Sequence, residues 1–238
     1  MKVSLLNGLN TDNIIYIYIR LKYFKEMLFN KDWALLHTST WNDKFENFYL
    51  KNNRELLSSK APNLYGQCWT LRGKKCADAM WRLHSGISNG YTINNDELDE
   101  TAVKIHTNVS KLRDAICADS TNGATTYIGI VNYKSKKCIQ DWIDRHKQLD
   151  NNAIIDSLFI KRNAFSYEKE ARIIIITNSD KGEQLRLKIN PFALMEGYCV
   201  LDPRLDDFQY KKIESELKLF GVKGKNIRKS TLYDDYKI

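Results

Sequence analysis

The feature that most constrains the fold is the run at 165–176, F-S-Y-E-K-E-A-R-I-I-I-I, where charged residues precede four consecutive isoleucines. A β-branched run of this kind predicts a buried central strand rather than a helix. Because side chains alternate along a strand, we expect Glu168, Glu170 and Arg172 to share one face at its start. Charges in that position are costly unless they are paired or used. Two interpretations follow, a Glu170–Arg172 ion pair that fixes the register and a catalytic pair of carboxylates.

The composition predicts a globular protein with an anionic partner. Of 238 residues, 43% are hydrophobic and 28% charged, and no linker rich in Pro, Gly or Ser divides the chain, so we expect one domain over 1–238. The net charge of +8 favours polyanionic partners, with nucleic acid first.

Cysteine usage and hydropathy predict a cytoplasmic location. The five cysteines form no C-x-x-C pair, which argues against a disulfide framework or a zinc site. The sequence shows no signal peptide and no apolar run of about 18–20 residues that would span a membrane. We therefore expect no membrane association.

Apolar periodicity predicts helices and strands that are mixed without strict βαβ alternation, and hence an α+β fold with a mixed central sheet flanked by helices. The predicted strands lie at 13–19, 33–36, 65–71, 91–93, 127–133, 171–177, 184–189 and 198–201, with a terminal strand or an extended tail at 227–232. The predicted helices lie at 21–30, 76–84, 97–117, 138–149, 152–159 and 207–220, and a further short helix is expected to start at 190–191. The strand at 184–189 is expected to form a hairpin with 171–177.

Aromatic residues and one arginine form a second group of candidates. Tyr16 and Tyr18 share a face of the first long strand, and Arg20 stands at its end. Trp81 and His84 follow on a helix after a strand. Such residues are usually core or surface residues, but they can also line a nucleotide pocket, with Arg20 binding phosphate.

Metal-dependent chemistry has little support in the motifs. The sequence contains no P-loop, G-x-G-x-x-G, H-E-x-x-H or G-x-S-x-G, and its four histidines show no metal spacing. The pairs Asp206–Asp207 and Asp234–Asp235 are candidate ligands for a nuclease, but each fits a helix cap or a solvated tail better. We therefore expect no metal.

Several segments resemble, in order, a bacterial family catalogued as a domain of unknown function, over about residues 13–233. These segments are Y-I-Y-I-R, W-N-D-K-F-E, Q-C-W-T-L, A-M-W-R-L-H-S, Y-I-G-I-V-N-Y, K-R-N-A-F-S-Y-E-K-E-A-R, D-P-R-L-D-D-F and K-S-T-L. That family is similar in outline to the ADP-ribosyltransferases found among bacterial toxins and phage-defence proteins.

ADP-ribosyltransferases resemble this chain in a first strand that ends in His or Arg and in a Glu-x-Glu at a later strand. Arg20 and Glu168-Lys169-Glu170 stand at those places. The Ser-Thr-Ser of the arginine-type enzymes has no clear counterpart, because H-T-S-T at 37–40 comes too early and Cys68-Trp69-Thr70 is an uncertain substitute.

The resemblance implies a role for each candidate. Glu170 would stabilise the cationic ribose formed from NAD, and Glu168 would orient or deprotonate the acceptor. Arg20 would hold the pyrophosphate, while Tyr18, Trp81 and His84 would line the base pocket. NAD would be the substrate that supplies the ADP-ribose.

The predicted function is therefore an NAD-dependent mono-ADP-ribosyltransferase that acts as a bacterial toxin or anti-phage effector, with an antitoxin protein as a possible partner. The predicted acceptor is single-stranded nucleic acid, RNA ahead of DNA, because short basic runs stand near Tyr133 and Tyr210. Those runs lie at 72–75, 134–137, 161–162 and 223–229. The alternatives are a non-catalytic nucleic-acid-binding or partner-binding module and, third, a nuclease effector.

Overall fold

In the computed structural model a mixed β-sheet carries helices on both faces, which confirms the α+β class. The structure describes residues 2–41, 46, 48, 63–71, 77–87, 93–119, 125–146, 151–195 and 197–233. Its strands are β1 Lys2–Leu6, β2 Ile14–Arg20, β3 Asp32–His37, β4 Asn63–Leu71, β5 Ala102–Asn108, β6 Thr125–Ile130, β7 Asn132–Lys134, β8 Ile160–Arg162, β9 Glu170–Thr177, β10 Gln184–Lys188, β11 Cys199–Leu201 and β12 Ile227–Lys229. Its helices are α1 Leu21–Asn30, α2 Ala77–His84, α3 Val109–Ala118, α4 Lys136–Arg145, α5 Asn151–Ser157, α6 Pro191–Leu194 and α7 Asp207–Leu219.

Ten of the described strands form one sheet in which β9 is an interior strand. The order is β1-β6-β9-β4-β2-β5-β11-β12, while β3 pairs with β4 and β10 pairs with β3. Strand β9 runs antiparallel to both neighbours, with Ile173 opposite Ile128 of β6 and Gln67 of β4. The short strands β7 and β8 pair separately in parallel.

The isoleucine run is buried on both sides, as its sequence predicts. On the first face of the sheet, Ile173 and Ile175 share a core with α1, α3 and α7. On the second face, Ile174 packs in a core with Trp142 of α4 and Ile154 of α5. Helix α2 also lies over the second face, where Trp81 packs with Tyr18 of β2.

The predicted long helix at 97–117 is wrong in its first half. Residues 102–108 form β5, in which Val103, Ile105 and Thr107 alternate with less buried residues, so the segment fits between β2 and β11. Helix α3 begins only after Asn108, whose side chain accepts a hydrogen bond from the Lys111 amide at 2.8 Å.

The predicted hairpin between 171–177 and 184–189 is also wrong. Strand β10 pairs with β3, placing Leu187 opposite Trp33. Both edges of β9 are already paired, with β4 and β6, so no edge is left for β10. Of the predicted strand at 91–93, Ile93 lies outside any strand and the other two residues lie outside the described part.

Several local predictions are confirmed. Helix α1 has the predicted bounds, and Asp206 caps α7 through a capping box with Gln209. Asp234, Asp235 and the basic run at 72–75 lie outside the described residues. Among the helices the structure describes, none is long and apolar enough to cross a membrane.

Candidate functional site

Five charged side chains converge at the start of β9 on the second face; they are called the charge cluster below. The members are Glu46, Lys161, Glu168, Glu170 and Arg172. Lys161 Nζ donates to Glu168 Oε2 and Glu170 Oε1, each at 2.6 Å, and lies 2.7 Å from Glu46 Oε1. One ammonium therefore occupies the space between three carboxyl groups.

Arg172 closes the cluster from the core side. Its Nε donates to Glu170 Oε2 and its Nη2 to Glu46 Oε1, both at 2.7 Å. Its Nη1 donates to the Leu158 carbonyl at 2.7 Å, and the ring of Trp41 lies 5.0 Å from the guanidinium. The Glu170–Arg172 ion pair predicted as the structural interpretation is thus present, and Arg172 has no solvent-exposed surface.

Glu168 reaches the cluster by a different route from the predicted one. Strand alternation places Glu170 and Arg172 on one face, but Glu168 ends a 3₁₀ turn at Asn163–Glu168 and is not part of the strand. Between them, Lys169 takes a left-handed conformation with φ 45°. Because that residue reverses the chain direction locally, Glu168 turns back towards Lys161.

The two glutamates have opposite pKa shifts. Burial and a hydrogen bond with Glu170 raise the pKa of Glu168 to about 7. Burial alone would raise the pKa of Glu170 as well, but Arg172, the hydrogen bond from Glu168 and Lys161 lower it well below its usual range. Glu170 is therefore the permanent anion of the pair, and Glu168 carries the exchangeable proton near neutral pH.

The charge balance of the cluster follows from this assignment. Three carboxyl groups face two cations, so the described cluster is neutral when Glu168 is protonated and carries one surplus negative charge when Glu168 is ionised. Burial opposes the charge on Lys161, but attraction by Glu170 and Glu46 raises its pKa overall. Lys161 therefore stays charged.

Three predicted pocket residues meet on the same face of the sheet. The ring of Tyr18 lies 5.0 Å from Trp81 in an edge-on contact and 5.9 Å from His84 in a stacked one. Burial lowers the pKa of His84, and the Glu170 carboxylate opposes that shift through its charge. The His84 ring therefore lies within electrostatic reach of the charge cluster. Trp81 is only 2% exposed, so it serves first as a core residue.

Arg20 does not join this group. Its Nη1 lies 3.0 Å from Glu100 Oε2, and Lys22 binds the other oxygen of the same carboxylate. The Arg20 side chain is 39% exposed, which matches the alternative interpretation as a surface residue at the end of β2.

Sequence reasoning missed Glu46, Lys161 and Tyr133 as neighbours of the glutamates. The basic run at 161–162 predicts that Lys161 faces a nucleic-acid acceptor, but its side chain is buried at 7% exposure and bound to three carboxyl groups. Tyr133 accepts a hydrogen bond from the Glu170 amide at 2.9 Å, and Tyr210 donates to the Ile227 carbonyl at 3.1 Å. Both tyrosines are partly buried rather than exposed. All three residues lie in motifs of the family resemblance, Glu46 in W-N-D-K-F-E, Lys161 in K-R-N-A-F-S-Y-E-K-E-A-R and Tyr133 in Y-I-G-I-V-N-Y, and these motifs are the signal that could have found them.

Two further findings bear on the chemistry. Within the described ranges, no group of three or more His, Cys, Asp or Glu side chains is arranged to hold a metal ion. No protein-family model, curated protein or solved structure matches this chain. The candidate site therefore stands on its own geometry and on the motifs.

Proposed function

We propose that the chain is an NAD-dependent mono-ADP-ribosyltransferase with an ADP-ribosyltransferase-like fold. The observation that carries the proposal is the Glu168–Glu170 pair, hydrogen-bonded at the start of β9, in which the pKa of Glu168 is raised to about 7. When two neighbouring carboxyl groups have different pKa values, one can remain a permanent anion while the other acts as an acid or base. This arrangement gives the Glu-x-Glu motif a physical purpose.

The proposed reaction breaks the bond between the ribose C1′ and the nicotinamide nitrogen. Nicotinamide leaves with the bonding electrons, and positive charge develops on the ribose as it does in glycoside hydrolysis. Ionised Glu168 takes the proton of the acceptor nucleophile, which then bonds to C1′. The Glu170 carboxylate, whose pKa is held well below its usual range, stays ionised and stabilises the cationic ribose in the transition state.

The aromatic residues beside the cluster supply a binding wall. Tyr18 and Trp81 are buried, at 7% and 2% exposure, so the partly exposed His84 offers the ring surface for nicotinamide or adenine and the two buried rings hold it in place. Arg20 can bind the pyrophosphate only after its ion pair with Glu100 breaks. We therefore assign Arg20 a smaller share of NAD affinity than the aromatic residues.

The biological setting rests on the motif resemblance alone. It favours a cytoplasmic bacterial toxin or anti-phage effector that modifies nucleic acid, RNA ahead of DNA, with an antitoxin protein as a partner. The net charge of +8 favours a nucleic-acid acceptor over a protein acceptor.

The test is incubation with labelled NAD and total cell RNA, DNA and protein, followed by measurement of label in each fraction. We expect label in nucleic acid, a fall of about 10²–10⁴ in rate for Glu168→Gln, and a fall of about 10²–10³ for Glu170→Gln. The exposed Glu183 provides the matched control, Glu183→Gln, which should label at the wild-type rate. Label in no fraction, or wild-type rates in both cluster variants that melt normally, would exclude the proposal.

One observation favours a second candidate, a non-catalytic nucleic-acid-binding module. Both carboxylate oxygens of Glu170 are bound to cations, and its side chain is 6% exposed, as expected of a purely structural ion network. Calorimetric titration with NAD separates the two functions, since a binding module of this kind should release no heat with NAD. Magnesium-dependent cleavage of RNA would instead support a nuclease.

A further inference from the structure

A row of aromatic and cationic side chains crosses the second face of the sheet, next to the group formed by Tyr18, Trp81 and His84. Tyr16, His106, Tyr198 and Arg228 follow one another from β2 to β12, and Lys104 lies beside them; together they are called the aromatic row. The ring centroids of Tyr16 and His106 are 6.0 Å apart, and those of His106 and Tyr198 are 4.4 Å apart. The Arg228 guanidinium lies 3.9 Å from the Tyr198 ring, and Lys104 Nζ lies 4.5 Å from the Tyr16 ring.

Strand register explains why these residues meet. Tyr16 is directly opposite His106 in the antiparallel pair of β2 and β5. Val200 of β11 is opposite both Lys104 of β5 and Arg228 of β12. Because opposed residues point to the same face, the backbone of four adjacent strands fixes Tyr16, Lys104, His106 and Arg228. Tyr198 stands directly before β11.

The cations of the row are not neutralised by the acids around it. Within the part of the chain that the structure describes, neither Lys104 nor Arg228 forms an ion pair. Glu100 and Asp202, at the ends of neighbouring strands, are each bound to an arginine, by Arg20 at 3.0 Å and by Arg204 at 2.7 Å. The pKa of Lys104 is lowered by burial. A cation that is partly desolvated without an acidic partner is suited to an anion supplied from outside.

The shape and exposure of the row match an extended ligand. Tyr16, Lys104, His106 and Tyr198 are each partly exposed, and Arg228 is exposed. Rings spaced across adjacent strands offer successive faces on which unpaired bases can stack, while the cations reach phosphates. A duplex offers no free base faces, and an acidic peptide has no bases to stack.

We propose that the aromatic row is a binding surface for single-stranded nucleic acid. Lys104 and Arg228, which lie over the rings of Tyr16 and Tyr198 in the free protein, move to the phosphates, and bases stack on the ring faces that they leave. The inference deepens the proposed function, since it gives the acceptor a place on the same face as the charge cluster. Binding here requires no NAD, so the two proposals fail separately.

The test measures fluorescence anisotropy of a labelled 12-nucleotide oligouridylate with the full chain, without NAD, at rising salt. The double variant Lys104→Gln/Arg228→Gln should bind about 25-fold more weakly at 0.1 M salt, and the slope of log affinity against log salt should fall by about 1.4, since each single-strand phosphate contact contributes about 0.7. The matched control is Lys181→Gln/Lys212→Gln, which removes the same charge from exposed positions outside the predicted basic runs. The control should keep wild-type affinity.

Stacking is tested separately from charge. Tyr198→Leu should weaken binding by about 5- to 150-fold, whereas Tyr198→Phe keeps the ring and should bind as wild type does. Arg228→Gln alone, at an exposed position, gives a variant whose folding is not in question. Equal losses in the row and control double variants, equal affinity for a matched duplex or for polyglutamate of the same charge, or wild-type binding by Tyr198→Leu would each overturn the proposal.

Discussion

Replacing Glu168 with glutamine should stabilise the folded chain at alkaline pH and have little effect at acid pH. Folding raises the pKa of Glu168 from 4.5 to about 7, so the folded state holds this proton more tightly than the unfolded state. The stability that the protonated carboxyl contributes is full below about pH 4.5 and is lost as the pH rises through 7. At about 1.4 kcal/mol per pKa unit, the loss amounts to about 3 kcal/mol.

Glutamine suits this test because it cannot ionise and keeps a donor that can reach Glu170. The Glu168 side chain is 16% exposed, so screening by solvent reduces the change in the free energy of unfolding only slightly. The free energy of unfolding is measured by urea titration at intervals between pH 4.5 and 8.5 for both proteins. The difference between variant and wild type should grow by about 3 kcal/mol across that range.

Glu183→Gln controls for the general effect of removing one carboxylate, because Glu183 is exposed and outside the cluster. A Glu168→Gln difference that stays constant from pH 4.5 to 8.5 would refute the reasoning. Glu168 would then ionise alike in the folded and unfolded chains, and the proposed base would lose its physical support.

Two further predictions concern the packing around β9. Arg172→Met should destabilise the fold by about 3–5 kcal/mol, because it leaves Glu170 and Glu46 to share Lys161 as their one cation in the described cluster. The double variant Glu170→Gln/Arg172→Met should lose less, and urea titration that ranks the two the other way would contradict this. Gly129→Ala should cost about 1–3 kcal/mol, because a Cβ there would lie 2.8 Å from the Leu6 Cβ and 3.0 Å from the Phe159 ring; an unchanged melting temperature would show that these side chains move aside.

The sequence is informative where the deciding contacts are local. Strand β2 and helix α1 follow from a β-branched run and from apolar residues at helical spacing, and their bounds agree with the structure to within one residue. Strand β5 falls inside the predicted helix at 97–117, whereas the observed helix begins only after its cap, Asn108. The alternation of Val103, Ile105 and Thr107 was the signal for a strand.

The candidate site was predictable only in part. Glu168, Glu170 and Arg172 stand close together in the sequence, so a pattern could single them out. Their partner Glu46 contacts Arg172 across 126 positions, and no local pattern encodes such a pairing. Lys161 has the sequence signature of a surface lysine, and only the tertiary structure shows that three carboxyl groups enclose it.

The interior position of β9 has a consequence for how the chain folds. Gln67, Ile128 and Ile173 lie side by side in three adjacent strands although they are far apart in the sequence. Such a sheet has a high contact order, since long segments must be closed before its central hydrogen bonds form. During synthesis, β4 and β6 leave the ribosome without the strand that joins them. The sheet therefore assembles late, and until β9 is made both strands keep an unpaired edge that aggregation can exploit.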